Sequence, residues 1–220
     1  MKTFAFDIYG TLIDPLALGE VLTGMIGAQA VAFNNLWRDK QLEYSFRKAA
    51  MQQFNHFSEC TQQALTYCNT FFKTGLTESQ QAELLGMYRK LPAYTETEKC
   101  LQSLKENENE IIAFSNGKEE DLISLFENAG IIQYFDQIIS VDEVRTFKPS
   151  PAVYKLLAEK SSSKPENTWL VSANSFDIIG AAACGLKTIW LKRNPTAIFD
   201  PFGIQYTVAY DNLINIIENS

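Results

Sequence analysis

The sequence predicts an α/β protein, a parallel sheet with helices on both faces, interrupted early by a block of helices. Three observations predict it. Short apolar runs each stop at a polar residue: Phe4-Ala5-Phe6 at Asp7, Ile111–Phe114 at Ser115, and Trp169–Val171 at Ser172. Stretches of helical spacing separate the later runs, as strand–helix–strand units require. From about residue 15 to residue 92 no strand-like alternation occurs, only helix-compatible spacing.

Taken in order, Phe4–Phe6 reads as a strand buried on both faces. Gly10 then allows a tight turn. Leu16, Val21, Leu22, Met25 and Ile26 form an apolar stripe that Gly19, Gly24 and Gly27 weaken. Phe33, Leu36 and Trp37, then Leu42, Phe46 and Ala50, continue the helical period, and a third helix is expected from Ser58 to Gly75. Thr77-Glu78-Ser79-Gln80 reads as a capping box opening a helix that ends before Pro92. Residues 15–92 are therefore expected to be a helical cap inserted into a core made of 1–14 and 93–220.

Thr95-Glu96-Thr97-Glu98 resembles a second capping box, opening a helix through Leu104. After Ile111–Phe114, a helix from Glu119 to Asn128 is terminated by Gly130. Phe135–Ser140 is expected as a third strand and Ala152–Lys160 as a helix. Trp169–Val171 is the fourth strand, and the following helix ends at Gly185. Lys187–Leu191 is the fifth strand, with Val208 starting a weak edge strand. The sum is a Rossmann-like parallel-sheet core with an inserted helical cap.

The chain has 220 residues, long enough to bury about 70% of its unfolded surface. A net charge of −7 without any basic run argues against nucleic acid, and an anionic small molecule needs a local positive site. Cys60, Cys68, Cys100 and Cys184 have no metal-ligand spacing and His56 is the single histidine, so buried free thiols are expected and a zinc site is not. No signal peptide or membrane span is read, which points to the cytoplasm.

In a parallel sheet, Asp7, Ser115-Asn116, the segment up to Lys148, and Ser172-Asn174-Asp177 all emerge on one side. Singly, each has a plainer explanation. Asp7 could cap a turn, Ser115-Asn116-Gly117 could be a turn and helix N-cap, and Lys148 could be a solvated lysine. Ser172 and Asn174 could cap the next helix, with Asp177 in its first turn. Together they describe a mixed-charge crevice around Asp7.

The ordered segments DIYGTL from Asp7, FSNG from Phe114, FKPSP from Phe147 and VSANSFD from Val171 resemble the haloacid dehalogenase superfamily, specifically its L-2-haloacid dehalogenase (type II) branch. Phosphatases of that superfamily carry Asp where Tyr9 stands, as acid for a departing alkoxide; a halide needs no proton. Ser172 and Asn174 are neutral where a magnesium site wants anionic oxygens. The resemblance thus implies an enzyme with no metal and no cofactor, acting on short 2-haloalkanoic acids. It also makes Arg38, in LWRDKQLEYSF, the partner of the leaving halide. Without the resemblance Arg38 reads as an exposed helix arginine. Asp39 departs from the Gln common after this Arg, and Phe176 from the usual Trp.

The resemblance implies that Asp7 attacks C2 of the substrate, with Arg38 and Asn174 stabilising the departing halide. Ser115, Asn116, Lys148 and N–H groups near Tyr9 would hold the substrate carboxylate. Asp177, with Ser172 and Asn174, would direct water onto the Asp7 ester, giving a 2-hydroxy acid of inverted configuration. Thr11 and Tyr154 would orient these groups, though local packing explains them nearly as well. Tyr9, Leu42, Phe57 and Phe176 are expected to line an apolar pocket, with ordinary core packing the plainer reading of Phe57; His56 has no role. A homodimer through the cap is compatible with the resemblance. The rival expectations are a small-molecule phosphohydrolase and a non-catalytic interaction protein keeping the fold.

Overall fold

The computed structural model describes residues 2–219. Six parallel strands, β1 (Thr3–Phe6), β2 (Glu110–Ser115), β3 (Gln137–Ser140), β4 (Thr168–Ser172), β5 (Lys187–Leu191) and β6 (Val208–Tyr210), form one sheet in the order β3-β2-β1-β4-β5-β6. β1 lies in the middle, so the order reverses beside it, and the crevice at its carboxyl end is where such sheets take ligands. Phe6 pairs with Ala113 on one side and Val171 on the other, which sets Asp7 level with Phe114 and Ser172. Every residue of β1 is buried, as expected of an apolar central strand; burying side chains like Phe4 and Phe6 contributes about 1.5–3 kcal/mol each.

After β1 the chain runs through a block of four helices: α1 (Gly19–Ile26), α2 (Ala30–Ala50), α3 (Phe57–Phe72) and α4 (Glu78–Tyr88). Trp37 Nε1 donates to the Thr61 carbonyl at 2.9 Å and pins α2 to α3. The chain enters and leaves this block side by side. Asp14 N donates to Pro92 O (3.0 Å) and Tyr94 N to Leu12 O (2.9 Å), with a bridge between Ile13 and Ala93. The Thr77–Gln80 capping box forms, Gln80 N donating to Thr77 Oγ1 at 3.3 Å and Thr77 N to Gln80 Oε1 at 2.9 Å.

The remaining helices are α5 (Thr97–Glu106), α6 (Glu119–Ala129), α7 (Pro151–Lys160), α8 (Ser175–Ala183) and α9 (Ile214–Asn219). Gly130 closes α6 in the left-handed region at φ 69°, where a side chain would be strained.

Several expectations need correction. The Thr95–Glu98 capping box does not form. α5 has Glu96 at its N-cap with no side-chain cap bond; Thr95 Oγ1 donates to Glu96 Oε2 (3.4 Å) and Glu98 Oε1 accepts from Tyr134 OH (3.1 Å). A tertiary partner takes the Glu98 carboxylate and a sequence neighbour takes the Thr95 hydroxyl, so neither is left to cap. Leu16 precedes α1 and is 42% exposed, so it leaves the expected apolar stripe. The third strand begins at Gln137, not Phe135, whose ring packs on Phe126 at 4.6 Å. Cys60, Cys68 and Cys100 are buried free thiols, while Cys184 is only half-buried. Among the described residues no helix is long and apolar enough to cross a membrane.

Candidate active site

Asp7 sits immediately after β1, 8% exposed, with both carboxylate oxygens engaged. Oδ1 accepts from Lys148 Nζ at 3.1 Å. Oδ2 accepts from Thr11 Oγ1 (2.9 Å), Ser172 Oγ (3.1 Å) and Asn174 Nδ2 (2.6 Å). Gly10 makes this turn possible, since its φ of 90° favours a residue with no Cβ. The hydroxyl of Thr11 also accepts from Ala173 N (2.9 Å), tying the loop after β1 to the loop after β4.

Lys148 is 1% exposed, so the solvated-lysine reading falls. Its ammonium donates to Asp7, to the Phe114 carbonyl (2.9 Å) and to Asp177 Oδ2 (2.7 Å), and lies 4.3 Å from the centre of the Phe114 ring. All three of its N–H donors are used. Asp177, fully buried in the first turn of α8, takes its other bond from Tyr154 OH at 2.8 Å. Asn174 occupies the N-cap of α8 without capping it, because its amide reaches Asp7 and the Tyr9 carbonyl (3.1 Å) instead.

Arg38 arrives from α2. One terminal nitrogen donates to Tyr9 O at 3.0 Å and the other to Gln41 Oε1 at 2.7 Å. Asp39 is exposed. The Tyr9 carbonyl is thus where a side chain of α2 meets the loop after β1, with Asn174 on the same oxygen.

A family model described as haloacid dehalogenase-like hydrolase matches residues 1–185. The chain belongs to the haloacid dehalogenase-like hydrolases. Among its relatives, the (S)-2-haloacid dehalogenase of Xanthobacter autotrophicus is 35% identical over 195 residues, 88% of this chain and 76% of that protein. Haloacetate dehalogenase H-2 of Moraxella sp. (strain B) is 32% identical over 203 residues, 92% of this chain and 90% of that one. The solved structure of the Xanthobacter autotrophicus L-2-haloacid dehalogenase with chloropropionic acid covalently bound is 27% identical. It matches with a TM-score of 0.90, over 99% of this chain and 97% of that one.

Within this haloacid dehalogenase-like hydrolase, the two buried carboxylates are driven apart. Burial alone would raise the pKa of Asp7, but the Lys148 charge and hydrogen bond, the Arg38 charge and the Asn174 amide hold it below the ordinary carboxylate value. Burial pushes Asp177 up to about 6; the Asp7 charge adds to this, and Lys148 and Tyr154 offset it only in part. At neutral pH the first is a ready anion, and the second is poised as a base. Burial also raises the Tyr9 phenol, which keeps its proton.

The donor set fits a metal poorly on its own chemistry. Ser172 and Asn174 are neutral, and among the described residues no three His, Cys, Asp or Glu side chains cluster to hold a cation.

The other expected residues divide. Ser115 is buried, its Oγ accepting from Gly117 N (3.0 Å). Asn116 turns its Oδ1 to the backbone N–H of Lys148 (3.0 Å), fixing that lysine's main chain. Tyr9 and Phe57 border a cavity of about 120 Å³ together with Leu85 and Tyr88, residues that sequence reasoning did not select. Leu42 is half-buried against the core and is not part of that lining. Phe176 packs edge-on against Phe46 of α2 at 5.0 Å, touching the helical block from the sheet side. His56 bonds Asp142 at 2.7 Å and is not among Asp7's partners. The missed group is Gln41, with Tyr88 and Thr61. Gln41 stands three residues after Arg38, a spacing that places both on one helix face and could have flagged it.

Proposed function

We propose that this protein is a hydrolytic dehalogenase that converts short L-2-haloalkanoic acids, of (S) configuration, to D-2-hydroxy acids and halide. The observation that carries this reading is the state of Asp7: an anion held by four side-chain donors, with a phenol rather than an acid two residues on. Such a group suits attack on carbon bearing a leaving group that needs no proton. The names of the relatives, (S)-2-haloacid dehalogenases at about 30% identity over most of the chain, support the same chemistry.

In this reading Asp7 displaces halide from C2 and becomes an ester. Ser115 and backbone N–H groups near Tyr9 hold the substrate carboxylate, and Lys148, its three donors already engaged, adds its charge. Arg38 and Asn174 receive the halide as charge develops on it. Asp177 then draws a proton from a water positioned by Ser172 and Asn174, and that water attacks the Asp7 carbonyl carbon. C2 is inverted once and left untouched by the second step. No metal or cofactor takes part. Residues 1–14 and 93–220 act as the catalytic core and 15–92 as a cap over it, in a cytoplasmic enzyme whose cap helices, with Val31, Met51 and Phe71 exposed, would supply a homodimer contact.

The test is halide release from L- and D-2-chloropropionate, with the chirality of the lactate determined and Asp7→Asn as control. Release from the L substrate alone, giving D-lactate, is expected; activity on phosphate esters with none on haloacids would overturn the reading in favour of a phosphohydrolase. Single turnover in heavy-oxygen water should place the label in Asp7.

A further inference from the structure

The interior of α2 carries a glutamine with no surface at all. Gln41 is 0% exposed, and a buried amide is costly unless its bonds are made. Here they are made, and in one direction only. Arg38 Nη1 (2.7 Å) and Tyr88 OH (3.0 Å) both donate to Gln41 Oε1, Gln41 Nε2 donates to Thr61 Oγ1 (2.5 Å), and Thr61 Oγ1 donates to Phe57 O (3.1 Å). Arginine has no acceptor, so the amide oxygen must face it, and that fixes the sense of the whole chain. Side chains of three helices thus meet at the Gln41 amide, and the other terminal nitrogen of Arg38 is left to reach Tyr9 O at 3.0 Å.

We propose that Gln41 is a positioning residue for the dehalogenation: it aims Arg38 at the leaving halide while leaving the charge of the guanidinium uncompensated. This rests on the reading of Arg38 given above. A carboxylate would orient Arg38 equally well, but it would neutralise the charge and compete with the halide for it. A neutral amide gives direction alone. Consistent with this, no carboxylate among the described residues forms a salt bridge with Arg38, and Asp39 beside it is exposed.

The test uses Gln41→Met, which keeps volume and removes the acceptor, and Gln41→Glu, which keeps the acceptor and adds charge. In a crystal structure of Gln41→Met the guanidinium is expected to leave the Tyr9 carbonyl; an unmoved Arg38 overturns the proposal whether or not the protein is a dehalogenase. In kinetics, kcat on L-2-chloropropionate is expected to fall about tenfold or more with KM little changed, and less on the bromo substrate, whose halide departs with less help. In an Arg38→Lys background Gln41→Met should cost nothing further, whereas multiplying losses would mark a mere brace between helices and overturn it. Should Gln41→Met fail to fold, Gln41→Glu decides: Arg38 in place with kcat lowered supports the proposal, and unchanged kcat overturns it. Parent protein that releases no halide would sink the functional reading alone, since the structural arm stands apart.

Discussion

The ammonium of Lys148 stands 3.1 Å from the carboxylate of Asp7 inside the protein, and the same nitrogen holds Asp177 at 2.7 Å. One buried cation therefore serves two buried anions. Removing it as Lys148→Met leaves both carboxylates without a counter-charge, which is expected to destabilise the fold by about 3–5 kcal/mol. Urea unfolding at pH 7 measures the loss. Lowering the pH should shrink it as the orphaned carboxylates take up protons; a loss that is the same at pH 5 as at pH 7 would contradict the arrangement.

The two carboxylates contribute to stability with opposite signs. Asp7, held below its ordinary value, contributes stability above that value, and this is lost as pH falls through its folded pKa. Asp177, raised from 3.8 to about 6, is favoured in the folded state below the first value, and that advantage is lost as pH rises through the second. The stability of Asp177→Asn relative to the parent is therefore expected to improve between pH 4 and pH 7, by on the order of 2–3 kcal/mol. Denaturant curves across that window check the direction.

Catalysis should follow the same group. If Asp177 is the base for ester hydrolysis, the second step rises with pH through about 6 and then levels. Asp177→Asn should form the Asp7 ester and fail to clear it. Mass spectrometry of the quenched protein is expected to show the added acyl fragment, with halide released once per site. Steady turnover by this variant would assign the base elsewhere.

Gly180 carries a constraint of another kind. A Cβ there would lie 2.5 Å from Tyr154 OH and 2.6 Å from its Cε2, and Tyr154 holds Asp177. Gly180→Ala must displace the ring and break the 2.8 Å bond to Asp177, at a cost of about 1–3 kcal/mol from overpacking. Activity should fall with stability, whereas Tyr154→Phe, which removes the same bond without the clash, should lower activity with a smaller loss in thermal midpoint.

Chelation should leave halide release unchanged, because Ser172 and Asn174 beside Asp7 are neutral where a divalent cation wants anionic oxygens. Activity lost to chelator and restored by magnesium would refute this and favour the phosphohydrolase.

Much of the molecule was legible in the chain itself. The apolar runs of β1, β2 and β4 each end at a polar residue, and a parallel sheet can only bring such ends together. That alone puts Asp7, Ser115, Ser172 and Asp177 at the carboxyl end of the sheet. The Thr77 capping box was readable because its partners lie three residues apart. The Thr95 pattern looked the same and does not cap, because Tyr134, distant in sequence, takes the Glu98 carboxylate and Thr95 bonds Glu96 beside it. What tertiary structure alone decided is the direction of each side chain. Asn174 serves Asp7 instead of its own helix, Asn116 fixes the Lys148 main chain, and Gln41 becomes the hub between Arg38 and two further helices. Spacing along the chain fixes which strand or helix a residue belongs to. Which donor meets which acceptor depends on where other segments arrive, and only the packed molecule settles that.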